Sequence, residues 1–71
     1  MIYPNPTSDK LHISDASDSA KYKIYSLVGS MITEGIVKNK TVQVSNLLKG
    51  TYIISVSDKG KEIINTKFVK N

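Results

Sequence analysis

Hydrolysis through a nucleophile needs a base beside a serine, threonine or cysteine, and His12 is the one histidine available for that work. It stands between Leu11 and Ile13, and a base there would also need an orienting partner that the sequence does not specify. His12 therefore reads as a surface histidine. The six carboxylates are scattered, so the paired acids of a glycosidase would have to meet by chance. Asp15 and Asp18 lie in the polar stretch Ser14-Asp15-Ala16-Ser17-Asp18-Ser19, which offers oxygens of the kind calcium uses. That stretch has no glycine at the turn and no bidentate glutamate downstream, so it reads as a plain loop. The four glycines stand singly in turns and form no phosphate-cradling loop. No catalytic residue, metal ligand or cofactor is assigned on these grounds, and a small hydrolase has no constellation behind it.

The elements that would have to position any chemistry follow a period of two. In Lys21-Tyr22-Lys23-Ile24-Tyr25-Ser26 the lysines fall on one face, with Tyr22 and Ile24 on the other. Thr41-Val42-Gln43-Val44 repeats the pattern, and Tyr52, Ile54 and Val56 share one side of a longer run. Such alternation marks strands with one face on a core and the other in water. Strands are expected at about 10–14, 21–26, 30–35, 40–45, 50–57 and 61–70, with a short extra strand near residues 1–3 at one edge. Asp58-Lys59-Gly60-Lys61 predicts a tight hairpin. Val28-Gly29-Ser30 predicts a second reversal, Lys38-Asn39-Lys40 ends the third strand, and residues 45–50 predict a compact turn or single helical turn plugged by Leu47.

The fold class expected is all-β, a small antiparallel Ig-like β-sandwich of six to seven strands. The inward set is Leu11, Ile13, Tyr22, Ile24, Leu27, Ile32, Val42, Val44, Leu47, Tyr52, Ile54, Val56, Ile64 and Phe68. That is one thin core with no volume for a deep pocket. Residues 1–9 read as a linker, with Pro4-Asn5-Pro6 a rigid elbow that no ladder would accept, and residues 10–71 as the sandwich.

Seventy-one residues make one small domain, which buries only about 60% of its unfolded surface. The absence of cysteine excludes disulfides and thiolate metal sites. No run of about 18 apolar residues would insert in a bilayer, and Met1-Ile2-Tyr3-Pro4-Asn5-Pro6 has neither the basic stretch nor the apolar run of a signal peptide. The net charge is +4, yet all ten basic residues are lysine. Nucleic-acid readers enlist arginine for bidentate contacts, so no nucleic acid is expected as a partner. Solvated lysines on outward faces and edges account for the charge.

The order of landmarks carries more than any one of them. Tyr3-Pro4-Asn5-Pro6-Thr7 comes first, then Leu11-x-Ile13 and Ile24-Tyr25-Ser26-Leu27-x-Gly29. Val42-x-Val44-Ser45-x-Leu47-x-x-Gly50-x-Tyr52-x-Ile54 follows, then Gly60-Lys61 and Lys67-Phe68-Val69-Lys70. This order resembles the type A C-terminal sorting domain of type IX (Por) secretion cargo proteins in Bacteroidetes, over nearly the whole chain. Asn71 after the terminal lysine is a small departure.

The resemblance implies a non-enzymatic label, carried through the periplasm behind an N-terminal cargo domain that has its own signal peptide. An outer-membrane translocon would read the label. A cell-surface sortase would then remove it at or before the linker, leaving the cargo on anionic lipopolysaccharide or released. Carried over residue by residue, translocon recognition falls on Gly50, Tyr52, Gly60, Lys61, Lys67, Phe68, Val69 and Lys70. Pro4, Asn5, Pro6 and Gly29 serve as structural motif residues. With Phe68 packed inward, Lys67, Val69 and the nearby terminus would be displayed as a docking strip. Gly50, Tyr52, Pro4 and Gly29 are as readily explained by keeping the fold intact.

A second reading is an Ig-like accessory module that binds carbohydrate or a protein partner at the bacterial surface. A sugar platform would need aromatics exposed together, and only Tyr25 is expected to face outward. A bare edge strand would also allow weak edge-strand self-association.

Overall fold

Alternating side chains and turn residues at short intervals produce seven strands in the computed structural model, which describes residues 2–3 and 9–71. They are β1 (Ile2–Tyr3), β2 (Lys10–Ile13), β3 (Lys21–Ser26), β4 (Met31–Ile36), β5 (Thr41–Gln43), β6 (Gly50–Asp58) and β7 (Lys61–Lys70). The predicted strands are all present, the short edge strand included, and residues 45–49 form a turn without helix. Pro4-Asn5-Pro6 and Thr7 lie outside the described residues. Two antiparallel sheets result, ordered β1-β2-β5 and β4-β3-β6-β7. The fold is the expected small all-β sandwich.

One face of each sheet supplies the core. Leu11, Ile13 and Val42 come from the smaller sheet, Val44 from just beyond the end of β5, and Ile24, Ile54, Val56 and Phe68 from the larger sheet. Tyr22, Leu47, Tyr52 and Ile64 pack against them, half-buried. Two expected core residues lie outside it. Leu27 is 56% exposed because β3 ends at Ser26, and Leu27 sits in the turn closed by Gly29 N–H donating to the Ser26 carbonyl. Ile32 is 46% exposed because Thr33, not Ile32, is in register with Ile24 on the core face, so strand alternation turns Ile32 away from it. Ala16, Ala20 and Val37 take up the missing volume. They sit in the connections between sheets, where small or branched side chains fill the ends of the sandwich.

The turns follow from local stereochemistry. Lys59 (φ 54°) and Gly60 (φ 82°) are both left-handed between paired Asp58 and Lys61, the two-residue connection whose twist suits a hairpin. Asn39 (φ 51°) and Lys40 (φ 57°) repeat it between Lys38 and Thr41, which exchange both backbone hydrogen bonds. The residues expected simply to end a strand therefore form a tight reversal of their own.

Gly35 answers to packing instead. A Cβ there would lie 2.9 Å from the Tyr22 hydroxyl and 3.0 Å from its ring, because the ring lies across the glycine's backbone. Gly35→Ala is expected to destabilise the domain by about 1–3 kcal/mol, the usual cost of forcing a ring out of a packed position. Urea denaturation would measure it, and a neutral result would mean that Tyr22 moves aside freely.

Asp58 ties the β2–β3 connection to the β6–β7 hairpin. Its Oδ1 accepts the Ser17 hydroxyl at 2.8 Å and its Oδ2 the Ser17 backbone N–H at 3.0 Å. The Ser17 hydroxyl bond, then the backbone bond, hold the Asp58 carboxyl below its ordinary value of 3.8. A carboxylate depressed in the folded state contributes stability above its unfolded pKa and loses it as pH falls through the folded one. Thermal melts from neutral pH to about pH 3 should fall less steeply for Asp58→Ala than for the parent. Parallel profiles would mean that the clamp carries no linkage.

Candidate recognition surface on the terminal strands

The β6–β7 ladder gathers most of the residues singled out from sequence. Gly50 lies opposite Lys70, Thr51 opposite Val69, Tyr52 opposite Phe68 and Ile53 opposite Lys67. The Gly-x-Tyr motif and the terminal basic-hydrophobic motif are thus two halves of one patch. Gly60 and Lys61 occupy the far end of the hairpin, about 20 Å from Lys67 along the strand.

Alternation divides the patch into an inner and an outer set. Phe68 is fully buried and stacks on Tyr52, with centroids 5.6 Å apart and planes inclined by 25°. The Tyr52 hydroxyl donates to the Leu48 carbonyl at 2.6 Å, pinning the β5–β6 turn to the strand that follows. Tyr52 and Phe68 therefore hold the end of the sandwich together and offer a partner little surface. Lys67 and Asn71 are exposed, and Val69 is 40% exposed.

Lys70 departs from the expected display. It shares the inward side with Phe68, is only 7% exposed, and donates its ammonium to the Asn71 carbonyl at 3.0 Å. Its alkyl stem runs along apolar surface while its head turns back to the backbone.

The outer face of the larger sheet extends this strip beyond the residues named from sequence. Lys67 is in register with Ile53, and Ile53 with Tyr25. Tyr25, Ile53 and Thr51 thus share a face with Lys67 and Val69. The same alternation in residues 50–54 that pointed Tyr52 inward already placed Thr51 and Ile53 outward. The charge of the face is broken by Glu62, whose Oε1 accepts Ser55 Oγ at 2.7 Å and Asn65 Nδ2 at 3.1 Å. The arrangement suits contact with a partner strand or loop, since it combines half-exposed apolar side chains with a cationic end.

The other singled-out residues lie apart from this face. Gly29, with φ 91°, closes the β3–β4 turn. His12 is half-buried on β2 and stacks on Tyr3 at 5.3 Å, so it is less solvated than alternation alone suggested. Among the described residues no group of three or more histidine, aspartate or glutamate side chains is placed to hold a metal ion, and no helix is long and apolar enough to cross a membrane.

The pattern of the family described as "Secretion system C-terminal sorting domain" matches residues 1–71, from the first residue to the last. The chain belongs to that family. The sorting domain is also similar to part of an ulvan lyase of Nonlabens ulvanivorans, at 32% identity over 99% of the chain and 14% of the relative. Beta-agarase D of Zobellia galactanivorans matches at 34% identity over 97% of the chain and again 14% of the relative. The sorting domain spans about one-seventh of the length of these curated relatives. No solved structure matches it. Membership makes this domain a type IX C-terminal sorting signal of secreted cargo, in a family whose role is addressing a protein out of the cell rather than catalysis.

Proposed function

We propose that the sorting domain is read by the outer-membrane translocon of the type IX system while its cargo waits in the periplasm. A cell-surface sortase then removes it once the cargo has crossed. The observation that carries this reading is the family match over the whole chain. The outer strip of Lys67, Val69, Thr51 and Ile53 is the part a translocon reads, with Gly60 and Lys61 as a second contact at the hairpin tip. Phe68, Tyr52 and Gly50 serve recognition by keeping that strip in place, and Lys70 by anchoring the end of β7. The cargo is an exported enzyme preceding the domain, as the names of the two relatives suggest.

Fusing residues 1–71 behind a periplasmic reporter in a type IX-competent host tests the function. Protease-accessible reporter on the cell surface is the expected result, and none without the domain. Reporter retained in the periplasm with the domain intact and folded would defeat the reading. The alternative, an accessory module that binds carbohydrate, predicts glycan-array binding by the isolated domain that is lost in Tyr25→Ala.

A further inference from the structure

The two flanks of the larger sheet are guarded unequally. Its β7 edge carries the exposed Lys61 and Lys67, the kind of residue that discourages strand addition. Its β4 edge, Met-Ile-Thr-Glu-Gly-Ile, has no lysine, and exposes Met31, Ile32 and Ile36 at 48%, 46% and 54%. The bond from Val37 N–H to the Ala20 carbonyl fixes the phase of the β3–β4 ladder. Backbone groups alternate from there, so those of Glu34 and Ile36 point away from β3. Among the described strands none pairs with that side.

The β5 edge of the smaller sheet faces the same flank. Thr41 spends its outward backbone groups on Lys38, and the same alternation turns those of Gln43 outward. Between the two edges lies an open trough. One hollow of about 400 Å³ is lined by Tyr22, Ile32, Thr33, Gln43, Asn46 and Leu47. A second, of about 280 Å³, shares Tyr22 and Gln43 with it and adds Ile36, Lys38 and Val42. A third, of about 380 Å³, continues to Lys10 and Lys38. The trough sets Tyr22, Ile32 and Leu47 among Thr33, Gln43 and Asn46 at one end and has lysines at the other, and no carboxylate lines any of the three hollows.

We propose that this trough is a docking site for an extended, acidic segment of a partner protein, added as a fifth strand beside β4. The outward backbone groups of Glu34 and Ile36 specify an extended backbone, which alone matches their spacing. Six residues of β4 offer about 20 Å of edge. Alternate side chains of the added strand enter the end lined by Tyr22, Ile32 and Leu47 together with Thr33 and Asn46. In the antiparallel sense its N-terminal end lies beside Lys38, where a carboxylate meets the lysine end of the trough. The site is on the flank opposite β7, so it stands or falls independently of the translocon strip.

The test uses residues 1–71 and two dye-labelled peptides, Glu-Glu-Val-Thr-Val-Thr-Val and Lys-Lys-Val-Thr-Val-Thr-Val, followed by fluorescence anisotropy. The acidic peptide is expected to bind saturably, and the basic one at least about tenfold more weakly. Glu34→Pro removes an outward donor and no ladder bond, and should weaken the acidic peptide at least about tenfold while leaving the thermal melt cooperative. Lys38→Glu, on an exposed turn, should reverse the order of the two peptides, which a merely unfolded variant would not do. Absence of saturation up to about 1 mM overturns the proposal. Equal binding of both peptides, unmoved by either variant, does so as well. Self-association of the parent that Glu34→Pro abolishes would replace the acidic partner with a second copy of the chain.

Discussion

Phe68→Ala is expected to cost about 3–5 kcal/mol, as the removal of a fully enclosed phenyl ring commonly does. Phe68 is buried to the last atom, near the end of the final strand, and supports the ring of Tyr52 across the ladder. A domain of this size rarely holds more than about 3–5 kcal/mol in its core. The substitution should therefore abolish the cooperative urea transition or shift its midpoint close to zero denaturant. Phe68→Leu, which keeps most of the volume, should retain a transition at reduced midpoint. A Phe68→Ala variant with parental stability would mean that β7 is not part of the cooperative unit.

The second large effect separates display from folding. Lys67→Glu combined with Val69→Thr alters two outward side chains and touches none of the core. Stability should stay within about 0.5 kcal/mol of the parent, as for most surface changes. Surface delivery of a fused reporter should fall at least about fivefold, because a reversed charge at a contact strip repels what the lysine attracted. Phe68→Ala would also abolish delivery, but through unfolding, and the melt distinguishes the two. Normal delivery by the Lys67→Glu, Val69→Thr variant would move recognition off this strip. Deleting residues 67–71 removes Phe68 too, so point substitutions are the sharper instrument.

Most strands could be read from the sequence because a half-buried sheet writes its two faces directly into residue order. Lys21 to Ser26 and Tyr52 to Val56 alternate without interruption, and both lie in the larger sheet as that pattern requires. The reading failed where alternation carries no information. Ala16, Ala20 and Val37 are buried in connections, where no period points to a face. Ile32 was misplaced because the phase of β4 was taken one residue off: Thr33 is the residue that meets Ile24, and a slip of one residue exchanges the two faces. Leu27 was misplaced because it lies just past the end of β3, in a turn where alternation assigns no face.

The candidate site was legible to a similar degree. Alternation around an inward Phe68 separates Lys67 and Val69 from it, but Lys70, taken from its motif as a recognition residue, lies inward beside Phe68. The sequence could not supply the partners of those residues across the ladder. Thr51, Ile53 and Tyr25 join the strip only through register, and register depends on the turn at Lys59-Gly60 and on the irregularity between Val56 and Ser57. The trough beside β4 was invisible for the same reason, since Tyr22, Ile32 and Gln43 meet only when both sheets are in place.

The route of the chain between its two layers has a temporal consequence. Leu11 pairs with Val42, while β3 and β4, lying between them in sequence, belong to the opposite layer. Phe68 is inserted later still, from the strand that ends at Lys70. Such long-range pairings delay closure until distant segments exist together. A polypeptide interrupted before Phe68, by a premature stop or a nicking protease, would lack the side chain that seals the interior.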